Sequence, residues 1–216
     1  MEYNDKNGLE LIAELAKVST DKLMNLTILI LSSNKLTSIP KEIGLLTNLR
    51  ELRLSNNELT SVPKEIGNLV NLQHLHLNSN KLTSIPLEIF NLIKLTKLLL
   101  YSNKLTSIPK EIGNLINLQR LFLSYNALTS LPKEIGNLVN LCELLYTNTK
   151  MVSIPIELVK LNVFPKLDLS ELTLPLWAEL FQEDKFKVIK HKDFPKDLRN
   201  HPWFIDVAYA DDFGLI

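Results

Sequence analysis

One feature restricts this chain more than any other. Proline returns at positions 40, 63, 86, 109, 132 and 155, always 23 residues apart. Asparagine keeps the same step at 34, 57, 80, 103 and 126, inside the frame LxxLxLxxNxL. The first unit reads Leu26, Leu29, Leu31, Asn34, Leu36, and the fifth reads Leu118, Leu121, Leu123, Asn126, Leu128. A sixth unit keeps Leu141 and Leu144 but continues with Tyr146, Thr149 and Met151. A seventh, worn unit reads Phe164, Leu167, Leu169, with Leu172 where asparagine belongs. A unit this short cannot bury an apolar face by itself, so the copies must stack into a solenoid.

The frame states how each unit folds. In LxxLxL the alternating leucines point inward from a short strand, and successive strands stack into a parallel sheet. The asparagines are expected to turn inward and bond backbone groups of neighbouring coils, because an unpaired buried amide costs ~1–3 kcal/mol. Proline sets the entry to a short helical turn, and Gly44, Gly67, Gly113 and Gly136 are expected where that turn ends. Phe90 and Val159 replace glycine in two units.

These residues resemble the leucine-rich repeat family in its short form, over residues 26–172. The resemblance implies an α/β solenoid with a parallel sheet on the concave face and helical turns on the convex side. It also implies protein binding rather than catalysis. Similar short repeats occur in intracellular signalling scaffolds and in effectors that bacterial pathogens deliver into host cells. A cytoplasmic protein is therefore expected, or one delivered to a host cytosol.

Both ends need caps, because terminal coils expose apolar faces. Residues 1–25 are expected to cap the first coil, with a helix over 5–17 carrying Leu9, Ile12, Leu15 and Ala16 on one side. Residues 173–216 hold both tryptophans, Trp177 and Trp203, with Phe181, Phe186, Phe194, Phe204 and Phe213. They read as an aromatic C-terminal cap, or as a second binding surface around HPWF.

Formal net charge is zero, which argues against partners held by bulk attraction such as nucleic acid or a membrane surface. No run approaches a membrane-spanning helix. The single cysteine, Cys142, has no histidine at a corresponding site in the next coils, so no nucleophile–base pair is visible. Phosphate-cradling glycine loops are absent. No cofactor is expected.

The positions flanking each strand leucine should face solvent on the inner curve. Their columns place Leu99, Phe122 and Leu145 side by side, with Tyr101 and Tyr125 beyond the strand and Lys97, Arg120 and Glu143 bordering them. An aromatic and aliphatic centre with a charged rim is the composition of a protein-binding hot spot. Arg53, His74 and His76 extend the face as polar contact residues. The histidines do not make a metal site, since a closed zinc site wants four ligands and cations surround them. The expectation is a monomer that grips one protein partner, plausibly an enzyme whose active site it covers; an adaptor using both the repeats and the C-terminal segment is the alternative.

Overall fold

The structure, a computed structural model, describes residues 7–151 together with positions 155, 157, 158 and 161. The worn seventh unit and the aromatic segment 173–216 lie outside the described residues, as does Val159. Helix α1 (Gly8–Ala16) opens the described chain. Asn7 caps it by accepting from the Leu9 N–H at 3.0 Å, while Glu10 reaches back to the Asn7 N–H at 3.3 Å. This reciprocal box satisfies two of the free donors of a helix start. The helix ends at Lys17, in the left-handed conformation at φ 57°. A short α2 (Thr20–Leu23) follows, which the apolar spacing does not announce. Ile12, Ala13 and Leu23 are buried, so both helices close the core beside the first coil.

Among the described residues six strands follow, β1 (Ile28–Ile30), β2 (Glu51–Arg53), β3 (His74–His76), β4 (Lys97–Leu99), β5 (Arg120–Phe122) and β6 (Glu143–Leu145). All pair in parallel, in chain order and in unbroken register, so that residues 23 apart stand side by side. Each coil returns through a 3₁₀ turn, at Lys41–Leu45, Lys64–Asn68, Leu87–Asn91, Lys110–Asn114 and Lys133–Asn137. The proline precedes its turn in extended backbone, φ −59° and ψ 143° at Pro40, and its carbonyl accepts from the Ile43 N–H at 3.1 Å. Leucine and isoleucine columns between sheet and turns form one continuous core.

The glycines sit inside these turns, fourth of five residues, rather than at their ends. Their role is close approach. A Cβ at Gly44 would stand 2.5 Å from the Glu65 carbonyl oxygen of the next coil, and at Gly67 2.7 Å from that of Glu88. Phe90 occupies the same place in the third unit and is fully buried, its ring taken into the core.

Asparagine stitches the coils as the frame requires. Asn80 Oδ1 accepts from the Leu59 N–H at 3.1 Å, and its Nδ2 donates to Leu54 O at 2.9 Å and Leu77 O at 3.0 Å. Asn57, Asn103 and Asn126 repeat the pattern. Asn34 does not. It stands exposed at the start of the ladder, and its Nδ2 reaches only Ser32 O at 3.3 Å. A second ladder runs at the other end of the strands. Asn48, Asn71, Asn117 and Asn140 donate to Met24 O, Thr47 O, Ile93 O and Ile116 O. Lys94 replaces asparagine there, and its Nζ donates to Asn71 Oδ1 at 2.8 Å.

Candidate partner-binding face

The side chains flanking each central strand leucine stand in two columns on the solvent side of the sheet. One runs Ile28, Glu51, His74, Lys97, Arg120, Glu143, and the other Ile30, Arg53, His76, Leu99, Phe122, Leu145. In-register neighbours are one strand spacing apart, ~4.8 Å. All eleven residues singled out by the sequence therefore lie on or just beyond one face.

The centre of this face is an ionic cluster. Arg53 Nε donates to Glu51 Oε1 at 2.6 Å, while His74 Nδ1 lies 3.7 Å and His76 Nε2 4.0 Å from the same carboxylate. The Arg53 hydrogen bond holds the Glu51 carboxyl below its ordinary range. Burial, and then the charge of Lys97, push His76 down to about 4. Its Nε2 is buried and has no hydrogen-bond partner among the described residues. His76 is therefore neutral at pH 7.

Toward β6 the face turns apolar. Phe122 is half-buried and Leu145 exposed, but Leu99 is only 7% exposed. Leu99 was expected in contact with water. His76 and Phe122 stand in register on either side of it, and two large rings at strand spacing leave it little open surface. The accessible apolar centre is thus Phe122 and Leu145. Arg120 Nε lies 3.4 Å from Glu143 Oε2, an exposed pair at the border. Such pairs contribute at most ~1 kcal/mol to stability and stay available to a partner.

Tyr101 is half-buried just beyond β4. Tyr125, beyond β5, is 58% exposed. Its backbone is left-handed, φ 57°, at a place where the other coils carry Ser33, Asn56, Ser79, Ser102 and Asn148 with the same sign of φ. Asparagine tolerates that conformation, any other side chain there costs ~1–2 kcal/mol, and a bulky one is an outlier.

Sequence reasoning passed over two surfaces. Ile28 and Ile30 are 48% and 55% exposed at the β1 end of the same face. Val70, Ile93, Ile116 and Val139, one per coil, are each more than half exposed in the turns before the strands. The signal for both is present in the 23-residue columns: Ile28 and Ile30 head the inner-face columns, and Val70, Ile93, Ile116 and Val139 form a column of their own before the strands.

The family model for a leucine-rich repeat region matches residues 15–124, and a single leucine-rich repeat model matches 117–138. The chain belongs to the leucine-rich repeat family. No curated protein matches it. Among solved structures, a leucine-rich repeat protein of Leptospira interrogans is 43% identical over 65% of this chain and 42% of its own, with a TM-score of 0.55. The plant peptide hormone receptor RGFR1, solved in complex with RGF2, is 45% identical over 64% of this chain and 23% of its own, TM-score 0.60. The Arabidopsis receptor kinase HAESA, solved with the peptide hormone IDA and the co-receptor SERK1, is 29% identical over 64% and 24%, TM-score 0.58. The chain thus spans under half the length of each. Leucine-rich repeat regions generally mediate protein–protein binding. Among the described residues no helix is long and apolar enough to cross a membrane.

Proposed function

We propose that this protein is a non-enzymatic binding module that grips one partner protein on the solvent face of its sheet. The observation that carries this reading is Tyr125. A large aromatic residue stands in strained left-handed backbone where five other coils place serine or asparagine, and its ring is largely in water. Nothing in the folding of the coil explains that choice; a partner that buries the ring does. Phe122 and Leu145 supply apolar area beside it, and Arg120, Glu143 and Lys97 a charged border. Arg53, His74 and His76 extend the contact with polar groups. Leu99, between His76 and Phe122, and the half-buried Tyr101 offer a partner less open surface.

The finer reading is regulation by occlusion. A module that covers a partner's surface without chemistry of its own acts by blocking a catalytic or docking site, in the manner of effector-type regulators. Affinity capture with Phe122→Glu, Tyr125→Asn and Lys64→Glu proteins tests the face. Phe122→Glu and Tyr125→Asn should lose the partner that wild type retains, while Lys64, exposed on the opposite wall, should be dispensable. Loss with Lys64→Glu and retention with Phe122→Glu would move the interface off the sheet. A second reading, an adaptor holding two proteins, is favoured by the strip Val70, Ile93, Ile116 and Val139. It requires that Ile93→Glu lose a different protein from the one lost with Phe122→Glu.

A further inference from the structure

The first strand of the sheet is unfinished on one side. The Glu51 N–H donates to Thr27 O at 3.0 Å, and the Leu31 N–H donates to Arg53 O at 2.8 Å. Residues 27, 29 and 31 therefore direct their main-chain groups to β2, and strand alternation turns those of Ile28 and Ile30 the other way. In the five later coils the residue at the place of Ile28 donates its N–H backward to the preceding coil. His74 reaches Arg50 O, Lys97 reaches Gln73 O, Arg120 reaches Thr96 O and Glu143 reaches Gln119 O, each at 3.0 Å, as Glu51 reaches Thr27. Only Ile28, with Ile30 beside it, has no such acceptor among the described residues. The helices α1 and α2 close the core through Ile12 and Leu23, yet leave Thr27, Ile28 and Ile30 exposed.

Proteins usually guard such an edge with lysine, proline or a bulge. This one reads Thr-Ile-Leu-Ile-Leu over 27–31. Among the described residues the two N–H and two C=O groups of Ile28 and Ile30 have no partner, and the two half-exposed isoleucine side chains flank them.

We infer that β1 pairs with β1 of a second copy of this chain, antiparallel about a two-fold axis at Leu29. Ile-Leu-Ile reads the same in both directions, so the edge is its own complement under that axis, as a closed symmetric dimer requires. Ile28 faces the second copy's Ile30, and Ile30 its Ile28. Each such pair exchanges two N–H···O bonds, which uses every open group of the edge, with Cα atoms ~5.5 Å apart. The four isoleucines then share one sheet face and shield one another from water. Zero formal net charge adds no long-range repulsion between copies. Other extended segments can satisfy the hydrogen bonds, but only a second copy does so with no further sequence requirement. The pairing joins two sheets into one of twelve strands, six from each copy, and leaves Phe122 and Tyr125 free. It replaces the free monomer expected from the sequence and does not depend on the partner-binding reading.

Sedimentation of the full chain over a concentration series, with amide exchange at each concentration, tests this. Wild type should dimerise reversibly, and the Ile28 and Ile30 amides should exchange more slowly as dimer forms. Ile30→Lys and Ile28→Lys should each weaken dimerisation at least tenfold and return those amides to fast exchange. Because both side chains are largely exposed, the fold of the variants should persist by circular dichroism. A wild type that stays monomeric to ~1 mM overturns the proposal, since even a weak interface registers there. So does a dimer indifferent to both lysines. Protected amides in a monomer would mean that another segment of the same chain covers the edge, which also overturns it.

Discussion

Two asparagines at equivalent places in the repeat should cost very different amounts to remove. Asn80 accepts from the Leu59 N–H and donates to the Leu54 and Leu77 carbonyls. Each of those carbonyls has a second amide on it. Asn57 Nδ2 reaches Leu54 O at 3.0 Å, and Asn103 Nδ2 reaches Leu77 O at 3.0 Å. In Asn80→Ala both carbonyls therefore keep a partner, and the group left stranded is the N–H of the fully buried Leu59. One orphaned donor costs ~1–3 kcal/mol, and the space left by the amide adds to it, so we expect a total of about 2–4 kcal/mol. At about 2–4 °C per kcal/mol for a chain of this size, the melting temperature should fall by roughly 4–16 °C. Asn34→Ala should cost less than about 0.5 kcal/mol. Its one side-chain bond is long and exposed, and no earlier coil offers a donor to strand. Urea unfolding followed by circular dichroism measures both. Equal losses for the two variants, or a harmless Asn80→Ala, would refute the reasoning that the ladder, rather than asparagine itself, is what stabilises.

Tyr125→Asn should raise stability by about 1 kcal/mol, because asparagine tolerates the left-handed backbone that Tyr125 is forced into; a calorimetric melting temperature that falls would show that the ring contributes to folding. Thr149 takes the asparagine place in the sixth coil, its buried hydroxyl has no hydrogen-bond partner among the described residues, and no acceptor there meets the buried Leu128 N–H. Thr149→Asn should restore the rung and add about 1–2 kcal/mol by urea midpoint; no gain would mean that the ladder has already ended. His76 binds its proton near 6.5 when unfolded and at about 4 when folded, so the unfolded state holds more protons between those values. Stability should therefore fall as pH drops through that window, by about 1–2 kcal/mol after allowing for partial solvent access, and His76→Gln should flatten the profile.

The repeat architecture was legible because every coil carries the same period, and period is what a stack needs. The strands, their register, the inward asparagines and the proline-led turns all follow from it. The glycines were misplaced for a physical reason. Their need comes from the carbonyl of the next coil, 21 residues further along the chain and invisible in local turn chemistry. Helix α2 was missed because four residues hold too little periodicity to read. On the binding face the columns were legible and the exposure was not. Leu99 looks the same as Leu145 in sequence, but rings stand in register on both sides of Leu99, whereas among the described residues Leu145 has only Phe122 beside it. The strain at Tyr125 needed backbone angles to be seen.

The turn half of the unit returns almost verbatim, LTSIPKEIGN at 105–114 and LTSLPKEIGN at 128–137, while the strand half varies, and the bonds between coils account for that contrast. The asparagine bonds that join coils span 21, 24 or 26 residues, and they recur with the same atoms from coil to coil. A change in the turn or in either asparagine ladder therefore disturbs two coils at once, and the residues that set that geometry are held alike. The columns on the sheet face make no such bond. Glu51 with Arg53 and Arg120 with Glu143 are pairings of convenience between neighbours, free to be replaced by Leu99 or Phe122. Variation is therefore permitted on the face that meets a partner. The first and the sixth coils depart from the pattern in different ways. At the first the ladder lacks a predecessor among the described residues, leaving Asn34 exposed and the β1 edge without a strand beside it. At the sixth it lacks its asparagine, and among the described residues a buried hydroxyl and a buried N–H go unmatched. An open edge in water can be completed by a second copy, whereas an unmatched group inside the core can be repaired only by restoring the side chain.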